Sequence, residues 1–112
     1  MPKGDFLGAF EEIVLLAVVH LGEDAYGMTI RQEIERRAGR AVSIGAVYST
    51  LDRLESKGHV SSRYADPAAE RRGRARRYFT LEPAGARGLA RSRDILASMW
   101  QGVEFGEDGA ER

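Results

Sequence analysis

The 112-residue chain contains no cysteine. Disulfides, thiolate nucleophiles and every Cys-based zinc or iron–sulfur site are excluded at once. Its two histidines, His20 and His59, stand apart from each other and from clustered carboxylates, so no metal site is expected. A long apolar run is also missing. The longest stretch, Phe6 to Leu21, holds 16 residues including Glu11 and Glu12, short of the roughly 20 apolar residues that span a bilayer. The first five residues carry no apolar segment with a small-residue cleavage site, so a secretory signal is not expected. No nucleophile–base spacing, phosphate-binding glycine loop or carboxylate pair stands out, which argues against an enzyme. One cytoplasmic domain without cofactor or membrane partner is the expectation.

Net charge is absent too, but only as a sum: 17 basic residues balance 17 acidic ones. Between Gly27 and Arg93 there are 15 Arg and Lys against 7 Asp and Glu, while the two ends together hold 2 basic and 10 acidic residues. A basic middle between acidic ends suits a polyanion-facing surface mounted on something that faces elsewhere.

Hydrophobic spacing orders the elements. Asp5 to Leu21 reads as a helix capped by Asp5, with Phe6, Phe10, Ile13, Val14, Ala17, Val18 and Leu21 at three- and four-residue intervals. Leu7, Leu15, Leu16 and Val19 extend its apolar surface almost all round, which in so small a domain places a second subunit against it. A second helix runs from about Tyr26 to Arg37 and stops at Gly39. Ser43 is a favoured N-cap for a third helix with the core stripe Ile44, Val47, Leu51 and Leu54, closed by Gly58. His59–Tyr64 and Arg77–Leu81 alternate as the strands of a hairpin. Pro83 opens a last helix to about Gly102, with Leu89, Leu96, Trp100 and Val103 on one stripe that Ile95 and Met99 widen. The order predicts a mainly α fold with a small β-hairpin: a winged helix-turn-helix over residues 1–82, a C-terminal dimerisation helix over 83–103, and a frayed acidic tail over 104–112.

In such a fold the third helix enters the major groove. With its apolar stripe turned inward, Ser43, Gly45, Ala46, Ser49, Thr50 and Arg53 face out. The small residues permit close backbone approach, and the polar ones reach phosphates or bases. Tyr48 is ambiguous, its ring suited to the core edge and its hydroxyl to a phosphate. Five arginines crowd the seven residues from Arg71 to Arg77. On a hairpin that follows a recognition helix, Arg72, Arg74, Arg76 and Arg77 form a wing for the sugar-phosphate backbone. Double-stranded DNA is the partner these features favour. The alternative is a winged-helix protein-interaction module whose arginine wing holds an acidic partner. Phe6, Phe10, Leu89, Leu96, Met99, Trp100 and Val103 are the expected homodimer interface. A further reading makes Leu96, Met99 and Trp100 a pocket for a small hydrophobic effector.

Ala25-Tyr26-Gly27, the block Ile44 to Gly58, and Arg76 to Gly85 together resemble the PadR family of bacterial transcriptional regulators, in its short form with one C-terminal helix. The similarity covers roughly Phe6 to Arg93. It implies a homodimeric winged-helix repressor whose C-terminal helix packs on the partner's first helix. DNA contacts would fall on Ser43, Ala46, Tyr48, Ser49, Arg53 and Arg72 to Arg77. Some short members bind planar hydrophobic compounds through a tryptophan in the C-terminal helix, and Trp100 is the counterpart. The family commonly reads Leu-Thr-Pro before that helix. Here Glu82 replaces the threonine cap, although its charge suits a helix N-terminus.

Overall fold

The computed structural model describes residues 7–65 and 76–105, in the order α1 (Ala9–Leu21), a 3₁₀ turn (Gly22–Asp24), α2 (Gly27–Ala38), α3 (Ile44–Ser56), β1 (Val60–Tyr64), β2 (Arg77–Leu81) and α4 (Pro83–Trp100). Mainly helical with one antiparallel hairpin, it has the architecture that the spacing predicts.

Local chemistry sets the helix ends. The Ser43 hydroxyl accepts the Ala46 N–H at 3.0 Å, satisfying one of the orphan donors at the start of α3. Gly39 and Gly58 end α2 and α3 at φ 69° and 80°, where a side chain would be strained. Pro83 is the first residue of α4. Glu82 makes no side-chain cap; its carboxylate instead accepts the Ser61 hydroxyl at 2.6 Å. The start of α1 differs most from expectation. α1 begins at Ala9, because the Glu11 carboxylate turns back to accept the Gly8 N–H at 2.9 Å. Gly8 stands at the N-cap, and Asp5, the expected cap, lies with Phe6 outside the described residues.

The core sits where α1, α2 and α3 meet the base of the hairpin. Val14 and Leu15 of α1, Ile30 of α2, Val47, Leu51 and Leu54 of α3, and Val60 and Phe79 of the strands are all buried. Each contributes on the order of 1.5–3 kcal/mol by leaving water. The strands pair from Val60 opposite Leu81 to Tyr64 opposite Arg77. A third partner joins them: the Phe79 N–H donates to the Ala25 carbonyl at 2.8 Å, and Tyr26 forms a bridge with Tyr78. The turn before α2 is thus stitched to the wing.

α4 meets this body only through its first half. Gly85 and Gly88 are its buried residues, and every residue from Arg93 to Phe105 is exposed. Among the described residues no helix is long and apolar enough to cross a membrane.

Glu11 locks α1 to α3. It is buried, and Lys57 Nζ lies 3.0 Å and Arg53 Nε 3.6 Å from its carboxylate. Burial pushes its pKa up, but the Gly8 N–H, Lys57 and Arg53 outweigh that and hold it below its ordinary 4.5. A carboxylate depressed in the folded state stabilises the fold above pH 4.5, and the contribution is lost as pH falls through the folded value. Glu11→Gln is expected to cost about 1.5–3 kcal/mol at neutral pH. It should also flatten the acid limb of the stability curve, which urea titration at pH 7 and below pH 4.5 checks. An unchanged acid limb would assign that pH dependence to other carboxylates.

Candidate nucleic-acid interface

The outward face of α3 carries Ser43, Gly45, Ala46 and Ser49, all exposed and small. The Ser49 hydroxyl donates to the Gly45 carbonyl at 3.1 Å and keeps its own lone pairs for an incoming donor. Tyr48 lies at the edge of this face with its ring laid over Gly27, the first residue of α2. A Cβ on Gly27 would come within 2.8 Å of three ring and hydroxyl atoms of Tyr48, so a side chain there would displace the ring from this position. The tyrosine thereby bridges α3 and the start of α2.

Thr50, expected on the outer face, is only 2% exposed and does not belong to it. It lies on the inner stripe with Val47, Leu51 and Leu54, and its hydroxyl accepts from Arg53 at 3.3 Å. Arg53 remains exposed, although it shares Glu11 with Lys57.

The wing divides into two parts. Arg72 and Arg74 lie outside the described residues. Arg76 is exposed, its guanidinium 4.4 Å from the centre of the Tyr26 ring. Arg63 sits 4.9 Å over Tyr78, and the two tyrosine rings meet edge to face at 5.4 Å. This cationic and aromatic stack holds two guanidinium groups on rigid rings. Periodicity alone does not find it, because Tyr26 and Tyr78 are brought together by the bridge between distant segments. Tyr64, opposite Arg77 at the end of the ladder, is 68% exposed and is a further surface aromatic that the pattern did not single out.

Arg77 departs from expectation. Its side chain is turned onto α3, where it pairs with Glu55 and, at 3.2 Å, with Asp52. Burial works against its charge, but these carboxylates outweigh it and raise its pKa above the ordinary range. It is engaged within the chain rather than held out to a ligand.

The expected dimer residues also separate into two groups. Phe10 and Leu89 are half-buried against the chain's own core, because the first half of α4 packs on α1; Phe6 is not described. Leu96, Met99, Trp100 and Val103 are exposed, with Met99 at 72% and Trp100 at 56%. On α1, Ile13, Leu16 and Val19 are likewise exposed. The expected effector trio lies on the exposed distal half of α4. Met99 and Trp100 line a shallow hollow of about 210 Å³ with Val103 and Phe105, and Leu96 is not part of it. Phe105, which the helical stripe could not include, returns after the α4 end to meet Trp100 edge to face at 5.8 Å.

Comparison with known proteins is consistent with this arrangement. Residues 15–91 match the model of the transcriptional regulator PadR-like family. The transcriptional regulator Rv3488 of Mycobacterium tuberculosis is 36% identical over 98 residues, which are 84% of this chain and 85% of the relative. Among solved structures, a PadR-like transcription factor from Bacteroides fragilis aligns with a TM-score of 0.70 at 23% identity, over 82% of this chain and 84% of the other. A PadR family transcription regulator from Clostridium difficile aligns with a TM-score of 0.68 at 22% identity, over 83% and 93%.

Proposed function

This chain belongs to the PadR-like family of DNA-binding transcriptional regulators, and from that premise we propose that it is a cytoplasmic homodimeric repressor reading an inverted-repeat operator. Two copies of α3 enter successive major grooves, with half-sites roughly 34–36 Å apart. Ser43, Ala46, Tyr48, Ser49 and Arg53 meet the duplex, and Arg72, Arg74 and Arg76 of the wing track its backbone. The observation that carries this reading is the small, polar, solvent-exposed face of α3 lying beside a hairpin whose two strands are joined by a sequence rich in arginine.

The dimer rests on the exposed distal half of α4, whose Leu96, Met99, Trp100 and Val103 would cover Ile13, Leu16 and Val19 of the partner's α1. A small planar hydrophobic effector entering near Met99 and Trp100 would loosen the pairing of the two α4 helices and release the operator. Trp100→Ala is expected to raise the dimer dissociation constant at least roughly thirtyfold, the effect of losing a 2 kcal/mol interface anchor. Sedimentation over a concentration series checks this. An unchanged constant would move Trp100 out of the interface.

The operator reading is tested by selecting bound duplexes from a random pool at physiological salt. A palindromic consensus is the expected result. Recovery without any consensus would leave sequence-independent electrostatic binding alone, and would bring forward the alternative of an acidic protein partner on the arginine wing.

A further inference from the structure

Arg77 is the point where the hairpin and α3 are tied together. All three guanidinium nitrogens have acceptors inside the chain: Nε donates to the Ser62 hydroxyl at 3.2 Å, one terminal nitrogen to Asp52 at 3.2 Å, and the other to Glu55. The ring of bonds closes on itself, because the Ser62 hydroxyl donates to the second Glu55 oxygen at 2.8 Å. Below, the guanidinium lies 4.8 Å from the centre of the buried Phe79 ring. β1, β2 and α3 therefore each contribute a group to one network.

Its place along the hairpin matters. Tyr64 and Arg77 form the last pair of the ladder, and the segment between them carries Arg71, Arg72 and Arg74. Asp52 and Glu55 belong to the recognition helix itself, one to two turns beyond Tyr48. A rotation of the strands at this point would re-aim the arginine-rich segment relative to α3.

We infer that Arg77 is a positioning residue for operator recognition, a strut that holds the wing at a set angle to α3 so that both reach the duplex together, rather than a phosphate contact. This rests on the operator reading above. A bidentate fork with three fixed acceptors suits the task, since guanidinium geometry is rigid where an ammonium is a rotating point charge. The strut also neutralises carboxylates that α3 would otherwise turn toward a polyanion.

The discriminating variant is Glu55→Gln. It removes a negative charge beside the DNA face, so on charge alone it would strengthen binding to every duplex alike. If Arg77 were a phosphate contact, freeing it from Glu55 would strengthen binding further. If Arg77 is a strut, Glu55→Gln loosens the wing, and the ratio of operator to non-specific affinity falls. The expected drop is roughly tenfold, within the range of couplings between contacting charged groups. Arg77→Gln should lower the ratio by a similar factor, and the double variant by no more than either single one. Arg77→Lys should recover only part of it, because one ammonium cannot serve three acceptors in fixed directions.

The ratio is measured on full-length protein at a temperature well below each variant's melting transition, so a loss of folded fraction does not move it. Should Arg77→Gln fail to fold, Glu55→Gln carries the test. An unchanged or raised ratio in Glu55→Gln overturns the strut. So does an Arg77→Gln variant that binds all duplexes more weakly in equal proportion, with a salt slope smaller by about one per site. Absence of any sequence preference in the wild-type protein would remove the operator reading and the strut with it. A preference in the wild type with an unaltered Glu55→Gln ratio would remove the strut alone.

Discussion

Phe79→Ala is expected to destabilise the protein by about 3–5 kcal/mol, the range for deleting a buried aromatic ring. In a domain whose whole stability is on the order of 5–15 kcal/mol, that is a large fraction. At roughly 4–8 °C per kcal/mol, the melting temperature should fall by at least about 12 °C. The reason is position as well as volume. Phe79 is 2% exposed at the meeting of α1, α3 and the hairpin, its N–H is the hydrogen bond that joins β2 to the turn before α2, and its ring lies under Arg77. Truncation leaves a cavity that the backbone cannot close without breaking the Ala25 bond. Tyr64→Ala on the neighbouring strand is the control. It removes a ring that is 68% exposed and should stay within about 0.5 kcal/mol. Urea titration of the two variants separates them. A Phe79→Ala loss below 1 kcal/mol would mean that the hairpin base repacks.

The contrast between these two aromatics also marks what the sequence makes legible. Elements whose cause lies within a few residues were readable: Ser43 caps α3 through Ala46, glycine stops α2 and α3, Pro83 opens α4, and both strands fall where alternation puts them. The family resemblance, carried by blocks such as Ile44 to Gly58, stands because those blocks encode the same local chemistry. What was not readable is set by partners far apart in sequence. Arg77 reads as one more wing arginine, since nothing within the run Arg71 to Arg77 indicates that Asp52 and Glu55 will receive it. Glu11 interrupts an apolar helix and looks like a solvated position, yet Lys57, 46 residues on, meets it. Thr50 falls outside the apolar stripe and so reads as outward, although helical geometry places it three residues from Val47 and four from Leu54, on their side of α3. A threonine whose hydroxyl has a partner is as acceptable inside as a valine of the same shape. For Phe10 and Leu89, the pattern identified apolar residues correctly but could not say whether their own chain or a second one covers them.

Gly85→Ala should be the second large effect, and it runs against helix propensity. Replacing glycine by alanine inside a helix ordinarily gains about 0.5–1 kcal/mol. At Gly85 a Cβ would stand 2.3 Å from the His59 carbonyl oxygen and 2.8 Å from Leu81 Cδ1. That carbonyl cannot swing aside freely, because it accepts the Glu82 N–H at 2.9 Å, the bond that seats the start of α4 on the hairpin. Relief requires either losing the bond or moving the helix bodily. Overpacking of this kind costs about 1–3 kcal/mol, so the clash outweighs the propensity gain and the net effect is destabilising. A moved α4 also carries its distal face away from where the proposed partner would meet it. Dimer affinity should therefore fall by more than Gly85 could lose through contacts of its own, since it is buried within the chain. Gly45→Ala supplies the opposite sign from the same substitution. No atom lies within 4 Å of a Cβ at that position, so the fold should be unharmed or gain up to about 1 kcal/mol. Its effect should appear instead in operator affinity, because the added methyl stands on the outer face of α3. Melting curves, sedimentation and duplex binding on the two variants give a crossed result: stability and assembly lost at Gly85, binding lost at Gly45. If Gly85→Ala melts at or above the wild-type temperature, α4 is free to slide on the hairpin, and the His59 carbonyl is not what seats it.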